Sequence, residues 1–74
     1  MMMPDYGLMH MVQILSDGAD AHRTAQELNT YSLAIHALNE SRSDDDRALL
    51  DGVRQRAETN LRGFVTRKRL AAFH

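Results

Sequence analysis

Two polar breaks divide this 74-residue chain into three stretches of helical periodicity. The first is Ser16-Asp17-Gly18, where glycine tolerates the left-handed backbone that separates helices. The second runs from Asn39 to Asp44 and is rich in residues that favour turns and caps. Between the breaks, apolar residues recur three and four positions apart, which is the period of one helix face. The expected fold is therefore all-α. It consists of an antiparallel helical hairpin with an additional short N-terminal helix, a single small domain over 1–74.

The three segments differ in how they would bury themselves. The first, about 5–16, places Leu8, Met11, Val12 and Leu15 on one face, with Asp5 after Pro4 as its N-cap. A strand is the competing reading, because short apolar runs are ambiguous, but leucine and methionine outnumber β-branched residues here. The second, about 20–39, carries the stripe Leu28, Tyr31, Ile35 and Leu38, with Ala21, Ala25 and Ala34 extending that side and Asp20 as cap. The third, about 44–73, carries Leu50, Val53, Ala57, Leu61 and Phe64. Asp44, Asp45 and Asp46 lie in its first turn and Arg67, Lys68 and Arg69 near its end, each complementing the helix dipole. Gly52 and Gly63 interrupt it, which points to close packing against another backbone or to a break near Gly63.

Size then becomes the problem. After the opening Met1-Met2-Met3, only 18 residues are Val, Ile, Leu, Met or Phe. A core in a chain this short rarely supplies more than about 3–5 kcal/mol without disulfides, a metal or oligomerisation. With no cysteine there is no disulfide, no zinc-thiolate site and no thiol nucleophile. The third segment also outreaches the second, so Phe64, Val65, Leu70 and Phe73 need cover from the first segment or from another chain. Self-association, with a dimer as the simplest form, is the expected remedy.

Motifs for chemistry are missing from the sequence. His10, His22, His36 and His74 form no i,i+4 pair and no His-Glu-x-x-His helix, so no metal is expected. The Asp44–Asp46 run lacks the glycine and terminal glutamate of a calcium loop and is read as a helix start. There is neither a nucleophile turn nor a glycine-rich phosphate loop. A non-enzymatic protein without cofactors follows. No segment has the roughly 18 apolar residues of a membrane span, and the first stretch lacks the features of a secretory signal, so the expected location is cytoplasmic. Eight of the nine basic residues are arginine, a bias that fits a bacterial or phage coding sequence.

Charge is the remaining signal. Residues 1–51 hold nine acids and three bases, a net −6, and residues 52–74 hold one acid and six bases, a net +5. Two functions follow from that split. One is a protein–protein interaction module (an adaptor, cochaperone or inhibitor) that masks a partner protein's surface and self-associates. Its contacts would come from Leu8, Met11 and Leu15 at one end of the chain and Phe64, Leu70 and Phe73 at the other. The same six side chains would otherwise fill the chain's own core. The alternative is a small nucleic-acid-binding transcriptional regulator that contacts phosphates through Arg56, Arg67, Lys68 and Arg69. The near-neutral composition and the long second break, unsuited to a helix-turn-helix, weigh against it.

Overall fold

The computed structural model describes residues 1–72 and contains three helices: α1 (Tyr6–Leu15), α2 (Gly18–Glu40) and α3 (Asp44–Ala72). Phe73, and with it the end of the third expected segment, lies outside the described residues. None of the described residues is in a strand, so the strand alternative for the first segment falls.

Each helix starts and stops for a local reason. The Asp5 carboxylate accepts from the Leu8 N–H at 3.0 Å, which caps α1 as the sequence implied. The break before α2 is shorter than expected. Gly18 sits at φ +36°, and the helix begins there rather than at Asp20. Asp17 provides the cap position without a side-chain hydrogen bond, its carbonyl instead accepting from the Asp20 and Ala21 N–H groups. At the second turn the Arg47 guanidinium donates to the carbonyls of Leu38 (2.7 Å) and Ser41 (3.3 Å). It thereby serves the carbonyl groups that the end of α2 leaves without helical partners. Ser43 starts α3, its hydroxyl accepting from the Asp46 N–H at 3.4 Å.

Cross-helix bonds fix the register. Asp20 meets Lys68, Glu27 meets Asn60 and Leu38 meets Arg47, so α2 and α3 run antiparallel. The chain before α2 runs back along it. Ser16 bonds Thr24, the Asp5 N–H donates to the Tyr31 hydroxyl, and Met2 exchanges two hydrogen bonds with the Asn39 amide. The result is a rod measuring 47 × 18 × 18 Å, with α1 laid over the open end of the hairpin.

The core forms where all three helices overlap. Leu8 and Val12 from α1 meet Leu28, Tyr31 and Ile35 from α2 and Ala57, Leu61, Phe64 and Val65 from α3. The α2 stripe is buried throughout, including Leu38. On α3, Ala57, Leu61 and Phe64 are buried, but Leu50 and Val53 are only half-buried because α1 does not reach the turn end. Ala21 and Ala25 are exposed, contrary to expectation; Thr24 is buried between them and donates its hydroxyl to the Asp20 carbonyl. Tyr31 buries its ring while its hydroxyl accepts from Asp5, which satisfies its one polar atom.

The glycines of α3 do not mark close packing. The helix continues through both, and a Cβ at Gly52 would meet nothing within 4 Å. Gly52→Ala is therefore expected to raise stability by about 0.5–1 kcal/mol, by reducing the unfolded chain's freedom. Gly18→Ala should have the opposite sign, because alanine is strained at a positive φ. Urea midpoints of the two variants check both directions.

Candidate functional site

The outer surface divides by charge. Residues 1–16 contain one charged side chain, Asp5, and residues 28–39 contain none. The fold sets these two stretches beside each other, since α1 lies along α2. Asp5 turns away toward α3, where its carboxylate pairs with Arg62 at 2.9 Å. The Leu8 N–H bond, reinforced by Arg62, holds the Asp5 carboxyl below the ordinary aspartate range.

Between α1 and α2 runs a groove of about 420 Å³. Met3, Tyr6 and Met9 line one side, and Ser32, Leu33, His36 and Asn39 line the other. Met3 is 63% exposed, Tyr6 62% and Leu33 57%. The two 2.7 Å bonds between Met2 and Asn39 hold the N-terminal strap as a fixed wall. Four other surface grooves are each lined by at least two charged side chains. The α1/α2 groove has no Asp, Glu, Lys or Arg in its lining.

The six residues expected at an interface separate. Leu8 and Phe64 lie in the chain's own core, each 8% exposed. Met11 and Leu15 are half-buried against that core. Leu70 remains exposed, and Phe73 is outside the described residues. Of the other exposed large apolar side chains, Met3, Tyr6 and Leu33 line the α1/α2 groove, while Ile14 and Leu49 lie outside its lining. Leu33 had a signal in the sequence, since it falls off the α2 stripe. Tyr6 and Met3 had a weaker one, the lack of charge around them.

The basic residues separate as well. Lys68 is held by Asp20 at 2.6 Å and Asp17 at 3.5 Å, and lies 5.6 Å from the centroid of the Phe64 ring. That pairing raises the Lys68 pKa and lowers that of Asp20, the hydrogen bond between them being the main cause in both. Arg69 turns toward α1, where it approaches the Met11 sulfur at 4.0 Å. Arg67 lines a different groove, between α2 and α3, together with Arg23 and Glu27. Arg56 makes no ion pair among the described residues. On the same helix, Arg54 bridges Asp51 at 2.9 Å and Glu58 at 2.7 Å, while Arg62 bridges Glu58 and Asp5. The hydrogen bond to Asp51 is the main cause of the raised pKa of Arg54, and that to Glu58 of Arg62. Of the four residues expected to contact nucleic acid, Lys68 is thus compensated by two carboxylates, while Arg56, Arg67 and Arg69 make no ion pair among the described residues.

Among the described residues, no three His, Asp or Glu side chains stand close enough to hold a metal ion, and no helix is long and apolar enough to cross a membrane. Comparison with known protein families, with curated proteins and with solved structures finds no match to this chain.

Proposed function

We propose that this chain is a non-enzymatic protein–protein interaction module that works by covering a surface of another protein. Adaptor, cochaperone and inhibitor are forms of that activity. The observation that carries the reading is the charge-free groove bordered by exposed Met3, Tyr6 and Leu33. Binding surfaces are depleted of charge at their centres and enriched in tyrosine and methionine. Large apolar side chains grouped on a pre-formed groove are what such a surface offers a partner.

The nucleic-acid reading has less support. Phosphate contacts need cations free to replace counterions. Lys68 is already paired with two carboxylates, and Arg67 and Arg69 line different grooves. Affinity capture from the source cells, with and without nuclease, separates the two classes. The expected result is a protein retained after nuclease and lost when Leu33 is changed to Asp. Retention that disappears on nuclease treatment, and is unaffected by Leu33→Asp, would overturn the proposal in favour of a nucleic-acid partner.

A further inference from the structure

We infer that the uncharged α1/α2 face is occupied by a second copy of this chain, laid antiparallel across a two-fold axis. The inference rests on reading that face as the protein-binding surface, and it names a second copy as the occupant in the free chain, which a different protein partner would displace.

Symmetry supplies the first argument. A two-fold interface sets a patch against itself, so residues near the axis meet their own counterparts. A charge there faces a like charge at close range. On α3 the exposed Arg56 and Arg67 make no ion pair among the described residues, so an axis placed there sets an uncompensated cation near its own counterpart. The α1/α2 face comes closer to the requirement, because its lining holds no Asp, Glu, Lys or Arg, and Glu40, 3.3 Å from the His36 imidazole, lies outside that lining.

The ends of the rod supply the second. At the turn end, residues 40–47 hold four acids and two bases, a net −2. At the open end, residues 16–27 and 61–72 with Asp5, the partner of Arg62, hold five bases and four acids, a net +1. An antiparallel pair sets each positive end beside the partner's −2 end, which speeds encounter and selects orientation. A parallel pair would set like against like.

Size supplies the third. A whole side of the rod measures 47 by 18 Å, so a second copy lying along its full length, charged ends included, reaches the roughly 800 Å² per partner of a standard stable interface. The second copy would also cover Met3, Tyr6 and Leu33, adding apolar burial to a chain whose own core is small.

The lack of cysteine makes the test direct, because a single introduced cysteine is the only labelling site. Sedimentation of the intact chain should give twice the 8.4 kDa protomer mass. Spin labels at Asn29→Cys on α2 should lie closer to each other across the pair than labels at Thr59→Cys on α3. Leu33→Asp should weaken the pair by about 30-fold or more while leaving the helical circular dichroism unchanged. High salt should also weaken it, since the end-to-end attraction is screened. A chain that sediments as a monomer overturns the inference, as does a dimer whose closer labels are at Thr59 or one unaffected by Leu33→Asp. A monomer that still captures a different protein, and loses it with Leu33→Asp, removes the second copy as occupant and leaves the interaction reading standing. Loss of nuclease-resistant capture from a chain that remains a dimer does the reverse.

Discussion

Replacing Leu61 with alanine should unfold most of the molecules at room temperature. Leu61 is 1% exposed and sits where α1, α2 and α3 all meet, so the cavity left behind has packed walls on every side. Leucine-to-alanine changes at such sites cost about 2–5 kcal/mol, from lost transfer free energy and from the unfilled volume. A chain this short has a total stability of only about 3–5 kcal/mol unless association adds to it. The loss is therefore comparable to the whole. Helical circular dichroism followed with temperature checks it, and Leu49→Ala, at a site 71% exposed, is the control expected to change little. A Leu61→Ala chain that melts like the parent would mean that the three-helix core is not the source of stability.

Phe64→Ala and Leu70→Ala should differ sharply although both residues lie near the end of α3. Phe64 is 8% exposed and packs under α1, so its removal should cost about 3–5 kcal/mol. It also removes the ring beneath Lys68, whose ammonium is 5.6 Å from the centroid, a smaller additional loss. Leu70 is 59% exposed, and its truncation should remain within about 0.5 kcal/mol. The quantity to measure is the urea midpoint at two protein concentrations. The Phe64 effect should persist at both, because the contact lies within one chain. An equal loss from Leu70→Ala that grows on dilution would show instead that Leu70 is covered by another chain.

Much of the local structure was legible in the residues. The spacing of Leu28, Tyr31, Ile35 and Leu38 identified the buried face of α2, and all four are buried. Asp5 was readable as a cap because an aspartate after proline and before an apolar run has a free carboxylate for the first turn. The stripe on α3 was only half informative. Ala57, Leu61 and Phe64 are buried, while Leu50 and Val53 lie beyond the reach of α1. Periodicity identifies the face of a helix, but it does not say how far along that face a neighbour extends. The glycines misled for a related reason. A missing side chain is compatible with a close neighbour and with empty space alike, and Gly52 has the latter.

The candidate site was less legible. The six residues singled out for contacts were chosen for being apolar and near the chain's ends, a criterion that does not separate a core side chain from an exposed one. Leu8 and Phe64 went to the core because α1 folds back over α3. Met3, Tyr6 and Leu33 stayed outside because they sit on the sides of α1, its strap and α2 that face away from that core. The runs without charge, residues 28–39 and all of 1–16 except Asp5, were visible in the sequence. Their adjacency was not, because 11 residues separate Ser16 from the next uncharged run at Leu28, and only the antiparallel packing of α1 on α2 joins them.

The sequence by itself determined that there are three helices, where they break and which face of α2 is buried. Those properties follow from local capping, from glycine and from the 3.6-residue period, all of which act within a few positions of one another. Tertiary structure alone decided how the charges are used. The acidic first part of the chain and its basic end had the look of a polarity presented to a partner. Folding brings Asp5 to Arg62, and Asp17 and Asp20 to Lys68, so part of that polarity is neutralised within the chain. Electrostatic energy depends on separation in space, and residues 48 positions apart, such as Asp20 and Lys68, end 2.6 Å from each other.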